Sequence, residues 1–144
     1  MAHRSERTGE AVGRIRYLLT LSRPRFWLYL AGPVAVGVTF AAETTAGLFT
    51  PVTLGLFAYF LLPANVFLYG VNDVFDADVD VANPKKDDRE ARWQGDSAVA
   101  VVIAVATVLG VATFAFTPLV AWPYLAGFFA LGFQYSAPPL RFKT

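Results

Sequence analysis

Asn72-Asp73-Val74-Phe75-Asp76-Ala77-Asp78-Val79-Asp80 follows directly on Pro51 to Val71, an apolar run whose only ionisable groups are the phenols of Tyr59 and Tyr69. Acidic side chains at the mouth of a membrane helix are costly to place there and point to function. If the helix continues through the cluster, a turn of 100° per residue puts Asp73, Asp76 and Asp80 within roughly a 60° arc, flanked by Asn72. Asp78 falls on the other side. Three carboxylates on one stripe repel one another, so the stripe calls for a divalent cation.

Composition agrees with a membrane protein. The 144-residue chain is 56% hydrophobic, with a mean hydropathy of +0.47, which is too apolar for a soluble domain with a polar surface. There is no Cys, so a disulfide framework and a thiolate zinc site are both excluded. The single His, His3, sits in a start read as disordered, which excludes a histidine-built metal site. A net charge of +1 gives no basis for a nucleic-acid partner.

Four apolar runs qualify as spans against the roughly 20 residues that cross the hydrocarbon: Phe26 to Ala42, Pro51 to Val71, Ala98 to Phe116 and Ala121 to about Ser136. The last is short and carries Pro123. All 12 Lys and Arg fall on one side of a four-span arrangement, and the other side holds only Glu43. The positive-inside rule then places both termini and the acidic loop, about residues 72–97, in the cytoplasm. The expected fold is therefore all-α, a polytopic transmembrane bundle in a single domain over 1–144, integral to the cell membrane with its site on the cytoplasmic face. Residues 1–25 form a basic start, and Ala11 to Leu21, with Arg14 and Arg16 among Ile15, Tyr17, Leu18 and Leu19, suits an interfacial anchor helix. A cleavable signal peptide is disfavoured, because Ala41-Ala42 is a poor cleavage site.

Pro63, inside the second apolar run, removes the hydrogen bond to the Tyr59 carbonyl and predicts a kink. Asn65 then either satisfies the freed backbone, bonds a neighbouring helix, or lines a polar cavity beneath the aspartates. Asn83-Pro84 should end the helix that carries the acids. Aspartate oxygens without His or Cys suit Mg²⁺, Mn²⁺ or Ca²⁺ rather than zinc. Lys85 and Lys86, with Arg23, Arg141 and Lys143 at other helix ends, complement a diphosphate. For Lys86, Arg89 and Arg92, fixing topology in a solvated loop is as good an account. Acid, metal and base at the cytoplasmic mouth of an apolar bundle describe a receptor for a charged head on a greasy tail, and a prenyl diphosphate fits that description.

The run Asn72-Asp73-x-x-Asp76-x-x-x-Asp80 resembles the first aspartate-rich signature of the UbiA-type intramembrane prenyltransferases. Arg23-Pro24-x-x-Trp27 resembles that superfamily's opening helix. Tyr135-Ser136-Ala137-Pro138-Pro139-Leu140-Arg141-Phe142-Lys143 resembles the motif closing its fourth helix. The resemblance implies Mg²⁺-dependent transfer of a prenyl group to a hydrophobic acceptor. Asn72, Asp73, Asp76 and Asp80 would hold Mg²⁺ against the diphosphate, with Asp73 and Asp76 the catalytic pair. Arg23 would touch the diphosphate, and Tyr135 and Ser136 would line the central cavity. Arg141 and Lys143 match basic positions of the closing motif, and their phosphate contact follows from charge and sidedness. After the aspartates the chain reads Asn83-Pro84-Lys85-Lys86 and Glu90-Ala91-Arg92-Trp93. That loop looks like the carotenoid-acting branch, the lycopene elongase type; a quinone-precursor ring or an ether lipid is the competing acceptor.

The superfamily is about twice this length and carries a second aspartate-rich motif that this sequence lacks. The preferred expectation is that these residues are the N-terminal half of a longer prenyltransferase. The remainder supplied by another chain, an inactive product, and a homodimer offering the first motif twice are the other readings. A different function class is a non-catalytic membrane half-site that binds Mg²⁺ and a lipid diphosphate. An ion channel is disfavoured, since the third apolar run offers only Thr107 and Thr113 as polar groups.

Overall fold

The structure is a computed structural model describing the backbone of residues 2–80, 95 and 97–138, with side chains at 9, 11–76, 95 and 97–138. All regular structure among the described residues is helical: α1 (Ala2–Leu21), α2 (Trp27–Ala41), α3 (Pro51–Leu61), α4 (Pro63–Asp80), α5 (Ser97–Ala112) and α6 (Trp122–Ser136), joined in places by short 3₁₀ turns. Helix α1 corrects the expectation of a disordered start, because the helix already runs from Ala2 through His3. Its sequence is rich in Ala, Leu, Glu and Arg, which hold a helix well. It stops short of Pro24, whose ring disfavours helical geometry in the residue before it.

At Pro63, where a kink was expected, the structure goes further and divides the second apolar run into two helices. Helix α3 ends at Leu61, Leu62 leaves helical geometry at φ −123°, and α4 starts on the proline. The side chain of Asn65 repairs this break. Its Nδ2 donates to the carbonyls of Phe60 at 3.2 Å and Leu61 at 3.0 Å, and the residue is 1% exposed. Asn65 thus serves backbone carbonyls at the end of α3, next to the Tyr59 carbonyl whose donor Pro63 removes.

Helix α4 is the centre of the bundle, packing against α5, α6, α3, α1 and α2. Its buried Val66, Phe67 and Val71 form one core cluster with Leu21 of α1 and with Val99, Ile103 and Ala106 of α5. Small residues set these approaches. A side chain at Gly70 would run into Ile103, and one at Gly110 would run into the Tyr59 hydroxyl and the Phe129 ring. The same Tyr59 hydroxyl donates to the Ala106 carbonyl at 3.2 Å, tying α3 to α5. Both threonines of the third apolar run turn back onto their own helix, Thr107 to the Ile103 carbonyl and Thr113 to that of Gly110. They form no polar path.

Beside this apolar core, many large apolar side chains also face outward. Val101, Val105 and Val108 of α5 are exposed, while acidic side chains of α4 lie inside, as described below. Two helical stretches, Pro51–Asp76 and Ser97–Phe116, are long and apolar enough to cross a membrane. Only 39% and 28% of their most apolar windows are buried within the bundle, which is low for core helices of a soluble protein. Helices α2 and α6 coincide with the first and fourth apolar runs and are 15 residues each.

Gly110→Ala should destabilise the bundle by about 1–3 kcal/mol, the usual cost of overpacking a filled contact. Gly37→Ala, where an added Cβ meets nothing within 4 Å, should be near neutral. Thermal unfolding of the two variants in detergent micelles checks this, and equal melting temperatures would refute the packing account.

Candidate functional site

On α4, Tyr69, Asn72, Asp73 and Asp76 recur at three- and four-residue spacing and so share one face. Asp73 is 2% and Asp76 3% exposed, while Val74 and Phe75 on the flank are each 38% exposed. The acidic face is turned into the bundle and the apolar face outward. Among the described residues no three His, Cys, Asp or Glu converge to hold a metal. Asp73 and Asp76 are the described members of the expected stripe; the side chain of Asp80 lies outside the described residues, although its backbone completes α4.

Arg23 reaches this face from the corner between α1 and α2. Ser22, fully buried, closes α1 by donating its hydroxyl to the Leu19 carbonyl at 2.8 Å, and it accepts from the Trp27 indole at 3.1 Å. Between them Arg23 takes the left-handed conformation, φ 47° and ψ 73°, the one non-glycine residue described with positive φ. Such a conformation costs a residue with a Cβ roughly 1–2 kcal/mol. It aims the guanidinium over the Tyr69 ring, 4.5 Å from its centroid. Phe26 completes this platform, its ring 6.3 Å from that of Tyr69.

A cavity of about 560 Å³ opens beside this platform, lined by Arg23, Leu68, Tyr69, Asn72, Phe128, Leu131, Gly132 and Tyr135. Gly132 permits the close approach of α6 to α4, since a Cβ there would press on Leu68 and Phe67. Phe128 is held in place by edge-on contacts with Phe60 and Phe129. The cavity thus has a cation and an amide at one end and aromatic and aliphatic walls along the rest.

The structure brings three of the expected site residues, Arg23, Asn72 and Tyr135, to this one cavity. Asp73 and Asp76 lie buried on the same face of α4 but do not line it. Leu68, Asn72 and Asp76 do form one ridge at four-residue spacing, so Asp76 sits one turn beyond the amide. Ser136, 1% exposed, lies behind the wall with its hydroxyl donating to Asn72 Oδ1 at 3.0 Å. Lys85, Lys86, Arg141 and Lys143 lie outside the described residues, as does Asn83-Pro84. Sequence reasoning missed Tyr69 as the platform for Arg23, along with the wall residues Leu68, Leu131 and Gly132. The spacing of Tyr69 from Asn72 and Asp73 marked its face, but the partner from the α1–α2 corner left no local trace.

No family model matches the chain, and no solved structure matches it. Curated relatives do. The chain is 68% identical over 131 residues to a lycopene elongase/hydratase of Haloferax volcanii, covering 91% of this chain and 44% of the relative. It is 62% identical over 129 residues to one of Halobacterium salinarum, covering 90% and 47%. It is also 35% identical over 146 residues to a C(50) beta-cyclic carotenoids biosynthesis protein of a Dietzia strain, covering 95% and 32%. The chain therefore spans under half the length of the curated relatives it matches.

If Tyr69 holds Arg23 in place, a double-mutant cycle of Arg23→Gln and Tyr69→Leu should show a coupling of about 0.5–2 kcal/mol in unfolding free energy, the range of a cation over an aromatic face. Strictly additive effects would remove the platform.

Proposed function

We propose that this chain, a homologue of proteins named lycopene elongase/hydratase, takes part in Mg²⁺-dependent transfer of a prenyl group from an allylic diphosphate to a hydrophobic acceptor, with a carotenoid as that acceptor. The supporting observation is the pair of buried carboxylates, Asp73 and Asp76, on the face of α4 that also presents Asn72 to a cavity holding Arg23. Burying a carboxylate costs several kcal/mol per ion even after the protein relaxes. An apolar helix keeps such groups where they have chemical work.

The residues present suit magnesium. Mg²⁺ takes oxygen ligands, commonly one or two carboxylates with water and substrate phosphate completing the shell. Asp73 and Asp76 would hold it, with Asn72 beside them and Asp80 as a further donor from the end of α4. When bound, the ion neutralises the negative charge that develops on the leaving diphosphate. Without a cation, the two aspartates would repel the substrate's anionic head.

The chain's own side chains supply the rest. Arg23 presents a planar guanidinium suited to two phosphate oxygens at once. The carbon–oxygen bond of the allylic diphosphate breaks with its electron pair leaving on the phosphate. The electrophilic carbon is then attacked by a double bond of the acceptor, forming the new carbon–carbon bond, and loss of a proton restores neutrality. The walls of Phe128, Leu131 and Leu68 exclude water from that carbon. Tyr69 and Tyr135 present π-faces on which positive charge is favoured. This is the chemistry that the UbiA-like motifs imply, and the relatives' carotenoid names favour the polyene acceptor over a quinone precursor or an ether lipid.

A second reading draws on coverage. Because the matched relatives are more than twice as long as their alignment with this chain, the same residues alone would form a half-site that binds Mg²⁺ and a lipid diphosphate without turnover. A labelled prenyl diphosphate, Mg²⁺ and lycopene, with the chain in nanodiscs, separate the two. Product supports the transferase, and binding without product supports the half-site.

Asp73→Asn and Asp76→Asn should each abolish Mg²⁺-dependent binding of a prenyl diphosphate, a loss of roughly 100-fold or more on the scale of removing one partner of a buried charge pair. Isothermal titration reads this, and unchanged affinity would remove the site assignment. The reading also places four spans across the membrane with both termini in the cytoplasm. Since the chain has no native Cys, Thr45→Cys should be labelled by an impermeant maleimide from outside intact cells and Gly9→Cys only after lysis. The reverse pattern would overturn the orientation.

A further inference from the structure

Ser136 was expected as a substrate contact, yet its hydroxyl is spent inside the protein. It ends α6, is 1% exposed, and donates at 3.0 Å to Oδ1 of Asn72, 64 positions earlier in the chain. Ala137 behind it is also buried and is anchored through its N–H to the Phe133 carbonyl at 2.9 Å. The donor is therefore fixed by the helix end on which it sits. A primary amide has an acceptor end and a donor end, the donor carrying two hydrogens. Turning Oδ1 toward Ser136 turns the nitrogen of Asn72 away from it.

Asn72 also lines the cavity shared with Arg23 and Tyr135. Resting on the function proposed above, we infer that Ser136 is a positioning residue. It sets the amide of Asn72 so that the N–H₂ end, and not the oxygen, meets the anionic head of the substrate. Metal holding then falls to Asp73 and Asp76, and Asn72 serves as a hydrogen-bond donor to a phosphate oxygen.

Two physical arguments favour this division. A cation approaching Oδ1 would have to share that oxygen with the positive hydrogen of the Ser136 hydroxyl, which weakens it as a metal ligand. A third carboxylate at position 72 would add like charge directly beside Asp73 and along the ridge to Asp76, repelling a diphosphate. A neutral amide with its donors forward adds attraction for the anion without that repulsion. The division also accounts for an asparagine heading a run of aspartates.

The test measures metal and anion separately on the chain in nanodiscs. Mn²⁺ binding is followed by electron paramagnetic resonance with no diphosphate present, and dimethylallyl diphosphate binding is followed by titration at saturating Mn²⁺. Asn72→Ala should leave Mn²⁺ affinity within about threefold while weakening the diphosphate at least about tenfold, the scale of one hydrogen bond to a charged group. Ser136→Ala should weaken the diphosphate in the same sense, again with Mn²⁺ unchanged, and Ser136→Thr, which keeps the hydroxyl, should restore it. If Asn72→Ala instead loses Mn²⁺ tenfold in the absence of diphosphate, the oxygen is a ligand and the inference falls. If Ser136→Ala binds diphosphate like the wild type, Ser136 positions nothing. Asp73→Asn run alongside keeps the two levels apart. Mn²⁺ loss there with ligand-like behaviour at Asn72 overturns only this inference. A wild-type chain that binds neither probe overturns the function on which it rests as well.

Discussion

Everything about this bundle is organised around the cost of holding carboxylates inside an apolar assembly. Helix α4 begins as a core element, with Val66, Phe67 and Val71 packed against α1 and α5, and ends as a carrier of acids on its inward face. The same helix touches every other helix of the bundle. Fold and site therefore cannot be separated, since the packing that stabilises the first half of α4 dictates where the charges of its second half must go. With Val74 and Phe75 outward and Asp73 and Asp76 inward, the polar groups are kept together and the apolar ones are left to the lipid.

Two local devices make that arrangement possible, and both spend a small side chain's hydrogen-bonding capacity on the backbone. At the Pro63 break, Asn65 caps the Phe60 and Leu61 carbonyls at the end of α3, which leaves less bare backbone where α4 restarts. At the α1–α2 corner, Ser22 joins the end of one helix to the first residue of the next through Trp27. The corner is tight enough to force Arg23 into left-handed geometry. Backbone strain of this kind persists where its surroundings over-determine it, often beside a working site. Here its result is a cation stacked on Tyr69, one turn before the acids.

Small residues complete the design by letting helices close on one another. Gly70 admits Ile103, Gly110 admits Tyr59 and Phe129, and Gly132 admits Leu68 and Phe67. The third of these approaches shapes the cavity, because it brings Tyr135 and Phe128 of α6 opposite Asn72 and Tyr69 of α4. Close backbone approach takes the place that hydrophobic exclusion from water holds in a soluble core, as expected where lipid is as apolar as the side chains.

Much was legible from the residues alone. Spanning length in two of the apolar runs, a distortion at Pro63, a backbone role for Asn65 among its stated alternatives, and the shared face of Asn72, Asp73 and Asp76 all follow from rules that act within a few residues: hydropathy, a missing N–H, a period of 3.6. These are local, so sequence order carries them. What the residues alone left open depended on groups far apart in the chain. That Arg23 rests on Tyr69, that Ser136 turns toward Asn72 instead of into the cavity, and that Gly132 sets the depth of the wall are facts about which helix lies beside which. The start was misread only ahead of the helix expected from Ala11 to Leu21, since α1 already runs from Ala2. Local chemistry determined which groups would share the inward face of α4, whereas their orientation toward one another came only from helix packing, because a side chain's direction depends on neighbours that no short stretch of sequence contains.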